Sequence, residues 1–375
     1  MADQGMKAVQ KNNFSETFRL FYEHESLSKK DIAQTLGNSL PTVSTNLTTL
    51  LERGLILKDG RFTGARGRRA DRYILNPSAF GCVGLEIFRE FVSIVLLGAN
   101  GAVRQQHQLM IDFKNEPGYY KKISQEIRNF VSDSEFDEGE IIGLGVGVQG
   151  LVSSDGQEIL YGKILNMTGV TTDVFQRYLP YPVYFVHDAD AVAITEQHVA
   201  KRQADAVYLS IGEHLGTAMM VDGQIYHGTF GSSGTMEHIS INSKYGRRCY
   251  CGRRGCLETY ASISALLHGR TENLDQFFEL LNVGDEKALE RWNSYLDHLA
   301  HAIVNLQMFA DNTIVLAGDL ARFINQDTLQ RLQKRIAKIS PFPEIAAHLE
   351  IGKADRYVVA EGAGLPYLQA YIDSI

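Results

Sequence analysis

One cysteine-rich stretch constrains this chain more than any other. Three of the four cysteines in the 375-residue sequence lie within residues 238–258, where the chain reads HISINSKYGRRCYCGRRGCLE. With the histidine that precedes them, they offer one imidazole and three thiolates, a ligand set that completes a tetrahedral zinc site. No coordination position is left for a substrate. We therefore predict a structural zinc ion bound by His238, Cys249, Cys251 and Cys256.

The alternative for this stretch is a disulfide with one free thiol. Disulfides persist mainly in oxidising compartments. The first residues are too polar for a secretory signal peptide, and no apolar run is long enough to span a bilayer. These features favour the metal site and predict a cytoplasmic protein with no membrane partner.

Charge is distributed unevenly along the chain. The formal net charge is −7, but residues 1–80 carry 12 Lys and Arg against 8 Asp and Glu, whereas the remaining residues carry 25 against 36. A basic segment joined to an acidic body indicates a nucleic-acid-binding module attached to another unit. The length allows two or three compact units with ordinary cores.

Signals for three helices precede Gly54. The first helix has an apolar stripe at helical spacing, formed by Phe14, Phe18, Phe21 and Tyr22. For the second helix, Ser28 and Asp31 resemble a capping box, and Gly37 marks the end. Ser39 can cap the third helix, with Pro41 in its first turn. The buried side of that helix is predicted to comprise Val43, Leu47, Leu50 and Leu51.

The second and third helices form a helix-turn-helix pattern, in which the later helix enters the major groove of DNA. Residues 55–57 and 72–75 can pair as a hairpin, which adds a wing. Small polar side chains on the third helix and arginines at the wing tip suit bases and phosphates. We predict DNA contacts from Ser39, Thr42, Ser44, Thr45, Thr48, Arg66, Arg68 and Arg69. The alternative is a solvated basic loop on an unrelated three-helix domain.

The cysteine-rich motif also carries a family resemblance. His238 followed by CxCGxxGCxE, with a glycine-rich run ending at Gly234 before it, resembles the signature of the ROK family. That family contains bacterial sugar kinases and sugar-responsive transcriptional repressors. The resemblance implies a sugar-sized ligand near His238 and Glu258. Winged helix-turn-helix modules precede the sugar-binding part of ROK repressors and are absent from ROK kinases, so the resemblance extends over the whole chain.

The resemblance implies an α/β fold in which an N-terminal winged helix-turn-helix precedes a two-lobed, actin-like ROK domain. This domain is of the ribonuclease H-like type that sugar kinases share with hsp70 chaperones, and the zinc knot lies in it. A break in periodicity at Asn76, Pro77 and Ser78 separates a DNA-binding domain at residues 1–78 from a ROK domain at residues 79–375. We expect lobe one to span about 79–200 with a C-terminal helix at 360–375, and lobe two about 201–359.

Three segments match the nucleotide-binding places of ROK kinases, and each has lost glycines. Residues 86–90 are Glu-Ile-Phe-Arg-Glu in place of Asp-x-Gly-Gly-Thr, and residues 212–217 are Gly-Glu-His-Leu-Gly-Thr in place of Gly-Thr-Gly-x-Gly-Gly. Residues 317–319 keep one glycine. Phosphate loops need glycine because their backbone amides must approach the phosphates. We therefore expect no ATP binding and no enzyme activity.

The sugar-binding positions that the resemblance implies retain more of the family's residues than the nucleotide-binding segments do. Asp188 matches the kinases' general base and would here accept a hydrogen bond from a sugar hydroxyl. We predict effector contacts from Gly150, Asn166, His187, Asp188, Thr235, His238 and Glu258. Thr235 replaces a family glutamate and His187 an asparagine, so we expect either reduced affinity for a simple hexose or a different, modified or phosphorylated sugar as effector. Alternatively, Asp188 and Glu258 are capping or salt-bridged carboxylates.

These expectations combine into a sequence-specific transcriptional repressor that binds double-stranded operator DNA and whose binding is modulated by a small sugar effector in the ROK cleft. A homodimer or homotetramer is expected, because a two-fold symmetric protein reads two half-sites. The alternatives are an ATP-dependent sugar kinase with a DNA-binding head and a constitutive DNA-binding protein with a vestigial pocket.

Overall fold

Three helices and a hairpin open the chain. The computed structural model of the protein describes residues 2–62, 70–202, 204–229, 231–268, 270–344, 347–354 and 356–375. The first elements are α1 (Ala2–Glu23), α2 (Lys29–Leu36), α3 (Leu40–Glu52), β1 (Ile56–Arg61) and β2 (Asp71–Leu75).

The predicted caps set the ends of α2 and α3. Ser28 and Asp31 form the capping box, in which each side chain accepts a hydrogen bond from the other residue's backbone N–H. Gly37 ends α2 in the left-handed conformation, with φ 66°. The Ser39 side chain accepts a hydrogen bond from the backbone N–H of Thr42 at the start of α3.

The buried side of α3 differs from the prediction at one residue. Val43 and Leu50 are fully buried, as expected, but Leu51 is 38% exposed. One residue along a helix turns the side chain by about 100°, so Leu51 faces away from the side that Leu50 buries. Leu55, just after the helix, is 5% exposed and lies in the core instead of Leu51.

The hairpin is tied to the helices through the backbone. Ile56 lies opposite Leu75 in the antiparallel β1–β2 pair. Leu27, just before α2, exchanges two backbone hydrogen bonds of 3.0 Å with Tyr73. The predicted DNA-contacting residues Arg66, Arg68 and Arg69 lie outside the described residues.

A first mixed sheet follows the hairpin. Its elements and connections are β3 (Gly81–Ile87), β4 (Phe91–Gly98), β5 (Val103–Met110), α4 (Pro117–Ser132), β6 (Ile141–Val148), β7 (Leu151–Val152), β8 (Ile159–Tyr161), α5 (Asp173–Gln176), β9 (Val183–His187) and α6 (Asp188–Ala200). The strand order is β5-β4-β3-β6-β9, and β7 pairs with β8 separately. The first three strands form the predicted antiparallel meander, whereas β6 and β9 run parallel to β3.

The second sheet repeats this topology. It is built from β10 (Ala206–Ile211), β11 (Leu215–Val221), β12 (Gln224–Ile225), α7 (Glu258–Ala261), α8 (Ile263–Leu266), α9 (Leu274–Asn282), α10 (Glu286–Phe309), β13 (Thr313–Ala317), α11 (Gln326–Ile339) and β14 (Leu349–Ile351). Its order is β12-β11-β10-β13-β14. Again two antiparallel pairings precede two parallel ones. The two sheets therefore have the same arrangement of strands.

The last helix, α12 (Val358–Ser374), packs on the first sheet and on α6. Glycines make the contact close: an added Cβ would lie 1.8 Å from the Ala360 carbonyl oxygen at Gly84 and 1.8 Å from that of Ala363 at Gly145. On the helix side, a Cβ at Gly362 would lie 1.8 Å from the Ala191 carbonyl oxygen of α6. Backbone thus meets backbone on both faces of α12.

The N-terminal helices share a core with α12. Phe18 and Phe21 of α1 belong to the same buried cluster as Leu365 and Leu368. An ion pair between Arg19 and Asp373 borders this cluster. Within the described ranges, no helix has the length and apolarity needed to cross a membrane.

Replacement of Gly84 by alanine should destabilise the protein. The new methyl group would collide with the Ala360 backbone, and α12 cannot move away without disturbing α6 as well. Such overpacking typically costs about 1–3 kcal/mol. Thermal unfolding should show a lower midpoint for Gly84→Ala. Gly139→Ala is the matched control, because an added Cβ there meets nothing within 4 Å; equal midpoints for the two variants would contradict the packing argument.

Candidate functional site

Loops at the ends of both sheets line a cavity of ≈ 210 Å³. The segment after β6 supplies Gly150, the junction of β9 and α6 supplies His187 and Asp188, and the β10–β11 loop supplies His214. Tyr250, from the cysteine-rich stretch, also lines the cavity, together with the apolar side chains of Leu151, Ile164 and Leu215. This volume lies below the roughly 300–1,000 Å³ of sites for drug-sized ligands, so it suits a small molecule.

The structure brings five of the seven predicted effector residues to this cavity. They are Gly150, His187, Asp188, Thr235 and His238. Asn166 is not among the lining residues: it is exposed, has φ 54°, and its backbone carbonyl accepts a hydrogen bond from the Asn115 side chain. Glu258 is also absent from the lining.

Glu258 lies behind the cavity wall. Its Oε1 is 2.8 Å from His214 Nδ1, and its Oε2 accepts a hydrogen bond of 2.6 Å from the backbone N–H of Leu215. The side chain is only 6% exposed. Both carboxylate oxygens therefore have protein partners in this geometry, and the direct hydroxyl contact from Glu258 stays a prediction.

His187 is held as a cation by its neighbours. Its Nε2 lies 3.3 Å from Asp188 Oδ1, and its Nδ1 lies 3.7 Å from Asp190 Oδ1. Burial lowers the pKa of His187, but the hydrogen bond and charge of Asp190, with Asp188 and Glu237, outweigh burial and raise it to about 9. The imidazolium therefore persists at neutral pH.

Asp188 is the first residue of α6, and its carboxylate accepts a hydrogen bond from the backbone N–H of Ala189. Burial raises the pKa of Asp188, although the charge of His187 opposes that rise. A carboxylate in this position can accept hydrogen bonds from ligand hydroxyls.

Glu237 is a cavity residue that the sequence prediction missed. It lies on a single 3₁₀ turn, Met236–His238, and its Oε2 is 2.8 Å from the Thr217 hydroxyl. Burial raises its pKa to about 7, although the charge of His187 opposes the rise. Thr235 instead donates its hydroxyl to the Ser232 carbonyl. The sequence contained a signal for this residue, because Glu237 lies only two residues after Thr235, the position that aligns with the family glutamate.

The predicted zinc ligands come together beside the cavity. Their ligand atoms all lie within 4.8 Å of one another, with His238 Nδ1 3.7 Å from Cys249 Sγ and Cys251 Sγ 3.7 Å from Cys256 Sγ. Tetrahedral zinc with bonds of about 2.3 Å to sulfur and 2.05 Å to nitrogen requires separations of roughly 3.6–3.8 Å. The four side chains therefore fit the ion. His238 links this cluster to the cavity, which it also lines.

Acidic side chains lie near the three segments that match the nucleotide-binding loops of ROK kinases. Burial and the charges of Asp319 and Asp188 raise the pKa of Glu86 to about 7, against a hydrogen bond from Ser93. Asp319 also approaches the next segment, since its Oδ2 would lie 3.6 Å from a Cβ at Gly212. A phosphate placed here would meet carboxylates.

Comparison with known proteins assigns the family. The model of the ROK family matches residues 82–355, which is more than two thirds of the chain. The chain belongs to the ROK family. The matched region begins at β3, so α1 to β2 precede it.

Relatives and solved structures include both regulators and kinases. The xylose repressor of Bacillus spizizenii is 26% identical over 332 residues, covering 85% of each chain. The crystal structure of a ROK family transcriptional regulator, a homologue of the E. coli MLC protein, has 20% identity and a TM-score of 0.76, and covers 97% of each chain. The ROK hexokinase of Thermus thermophilus has 19% identity and a TM-score of 0.64, and covers 78% of this chain but 99% of its own. These structures show that the chain has the ROK fold.

Removal of one thiolate tests the metal site of this ROK chain. Cys251→Ser should lower the zinc content of the purified protein below one ion per chain and lower its unfolding temperature, because zinc binding is coupled to folding of its ligands. Metal analysis and thermal unfolding measure both effects. Cys82→Ala is the control: Cys82 lies under α12, where its thiol meets the Gly364 carbonyl, and its loss should leave the zinc content unchanged. A full zinc content in Cys251→Ser would refute the assignment.

The charge on His187 can be measured directly. Its pKa of about 9 exceeds the ordinary value of 6.5, so its contribution to stability is complete below about pH 6.5 and is lost as pH rises through 9. Removing the neighbouring carboxylate with Asp190→Asn should lower the pKa of His187. Imidazole NMR titration of both proteins provides the measurement, and Asp155→Asn, which changes an exposed loop, is the control. An unchanged His187 titration in Asp190→Asn would contradict the proposed cause.

Proposed function

We propose that the protein is a sequence-specific DNA-binding transcriptional repressor that responds to a sugar or sugar-derived effector. The observation that carries this proposal is the unit of three helices and a hairpin that precedes the family-matched body. The regulator structure covers 97% of this chain, whereas the hexokinase covers 78%. The name of the similar Bacillus xylose repressor supports the same function.

The DNA-binding part of the proposal is a winged helix-turn-helix at residues 1–78, joined to a ROK domain at residues 79–375. In it α3 would enter the major groove, and the β1–β2 hairpin would form the wing. Thr45 and Thr48 are exposed on α3, Thr42 and Ser44 are half-buried, and Ser39 caps the helix. The stem cations Lys58 and Arg72 pair with Asp71 and Asp59. The proposed phosphate contacts of the wing therefore depend on Arg66, Arg68 and Arg69, which lie between the two strands in the sequence.

The effector would bind in the ≈ 210 Å³ cavity. Asp188 and Glu237 offer carboxylate oxygens to hydroxyl groups, and protonated His187, whose ring nitrogens face Asp188 and Asp190, places a positive charge beside them. A polyhydroxylated ligand matches a wall that contains both acceptors and donors. Zinc bound by His238 and the three cysteines would be structural, because it fixes the wall that His238 and Tyr250 form and leaves no position for a reactant.

The same site argues against a kinase. The charges of Asp319 and Asp188 act on Glu86 in a segment where the phosphates of a nucleotide would have to lie, although Arg322 and Arg356 partly offset the charge of Asp319. Without bound cations, such a cluster repels a triphosphate. We therefore propose that the chain senses a sugar without phosphorylating it.

Signal transmission would use α6 and α12. Asp188 begins α6, α12 packs on α6, and α1 shares a core with α12. A ligand that favours one arrangement of the two lobes would thereby shift the DNA-binding heads of a homodimer or homotetramer. Such coupling between sites is typically worth about 1–3 kcal/mol.

A mobility-shift assay tests the proposal. The purified protein should bind the DNA upstream of its own gene at fixed salt, and one compound among D-xylose, D-glucose, N-acetyl-D-glucosamine and their phosphates should change the affinity. Thr45→Asp should reduce DNA affinity about tenfold or more, because it adds a negative charge to the exposed face of α3.

Gln125→Asp is the matched control, since it adds the same charge on the exposed face of α4 and should bind DNA normally. Absence of DNA binding by the wild-type protein would overturn the regulator proposal and favour sugar-dependent ATP turnover as the next assay. DNA binding that no compound changes would favour a constitutive DNA-binding protein.

A further inference from the structure

Tyr250 lines the effector cavity, although the sequence motifs assigned no ligand contact to it. It occupies the position between the first two cysteines of the CxCGxxGCxE motif. Its neighbours on both sides, Cys249 and Cys251, are predicted zinc ligands, and their ligand atoms lie close to those of His238 and Cys256. Two bonds to one ion would therefore fix the backbone on either side of Tyr250.

Two imidazole rings hold the ring of Tyr250 in the cavity wall. The ring of His214 lies at a centroid distance of 5.3 Å with an interplanar angle of 73°, and that of His238 lies at 5.2 Å with an angle of 68°. Near-perpendicular contacts at such distances are favourable for aromatic rings. The two contacts therefore favour one orientation of the tyrosine ring before any ligand arrives.

The phenol hydroxyl of this half-buried side chain is available to a ligand. Among the residues that the structure describes, none exchanges a hydrogen bond with it. Two other polar side chains of the wall already have protein partners: the Thr235 hydroxyl donates to the Ser232 carbonyl, and the ring nitrogens of His187 face carboxylates. The Tyr250 hydroxyl is thus a hydrogen-bond donor that the protein itself leaves unused.

We propose that Tyr250 contacts the effector and donates its phenol hydrogen to an oxygen of the sugar. The proposal rests on the sugar-effector function and assigns one further residue to that site. The ionised carboxylates of Asp188 and Glu237 only accept hydrogen bonds, and the ring oxygen of a cyclic sugar also only accepts them. A donor beside the carboxylates therefore matches ligand oxygens that the carboxylates cannot bind.

The ring of Tyr250 adds an apolar surface to this contact. Leu151, Ile164 and Leu215 also line the cavity, so part of its wall is apolar. A sugar ring presents C–H groups as well as hydroxyls, and a tyrosine combines a large apolar body with a polar tip. Tyr250 therefore contacts C–H groups of the sugar with its ring and one oxygen with its hydroxyl.

Titration calorimetry on the full-length, zinc-loaded protein tests this contact. D-xylose, D-glucose, N-acetyl-D-glucosamine and their phosphates are titrated into the wild type, Tyr250→Phe and Tyr250→Ala. For the compound that binds best, Tyr250→Phe should weaken binding about three- to tenfold, as expected for the loss of one hydrogen bond. Tyr250→Ala should weaken binding about thirtyfold or more, because the contact with the ring is lost as well.

Analogues of the same sugar show whether the hydroxyl acts directly. Each analogue lacks one oxygen, as in the monodeoxy sugars and in the carbocyclic analogue without the ring oxygen. The analogue that lacks the contacted oxygen should bind the wild type and Tyr250→Phe with affinities that agree within about twofold. An equal loss in Tyr250→Phe for every analogue would indicate a purely structural role of the hydroxyl and would overturn the proposal.

Tyr245 provides the matched control, because it lies in the same cysteine-rich stretch but is 78% exposed and is not among the residues that line the cavity. Tyr245→Phe and Tyr245→Ala should bind sugar as the wild type does. Zinc content should remain one ion per chain in Tyr250→Phe, since all four ligand side chains stay in place. Loss of zinc in this variant would assign its effect to the metal site and overturn the direct contact.

The wild-type titrations separate this contact from the effector function. If the wild type binds none of the compounds, the sugar-effector function is overturned, and the contact with it. If the wild type binds one of them and Tyr250→Phe binds it equally well, the contact alone is overturned.

Discussion

The contact of α12 with its neighbours is the constraint on which the rest of the structure depends. Gly84 and Gly145 let this helix lie against the first sheet, and Gly362 lets it lie against α6. Backbone-to-backbone contacts of this kind cannot adjust by rotating a side chain, so they fix the distance between three elements. Asp188 at the start of α6 and Phe18 of α1 are both positioned through this one helix.

The protonation of the ionisable groups in and near the cavity depends on whether each buried charge has an oppositely charged neighbour. His187 is surrounded by carboxylates and stays protonated, whereas Glu86 and Glu237 gain raised pKa values of about 7 from burial. These shifts bring the titration of two carboxyl groups close to neutral pH, where the charges of a ligand can change their protonation. Hydroxyl groups can be accommodated by the existing donors and acceptors, whereas a polyphosphate adds several negative charges beside Glu86 and Asp319.

Sequence alone predicted the elements with strong local signals. The caps at Ser28 and Ser39, the strand meander and the zinc-ligand cluster depend on short spacings, and the structure reproduces them. Leu51 was misassigned because it adjoins the buried stripe of α3. Glu237 was missed, and the pairing of Glu258 with His214 was not foreseen, because each carboxylate meets a partner that no local pattern relates to it: Thr217 lies 20 residues from Glu237 and His214 lies 44 residues from Glu258.

The shared core of α1 and α12 limits how this protein can be re-engineered. Exchanging residues 1–78 for the corresponding part of another regulator would leave Leu365 and Leu368 facing unmatched side chains. A chimera would then lose the packing that Phe18 and Phe21 provide. The new N-terminal domain would be connected to the ROK domain without being held in a fixed orientation. Under the proposed docking of α3 on DNA, altered operator preference is better sought by redesigning exposed positions of α3 within the existing scaffold than by exchanging the whole N-terminal unit.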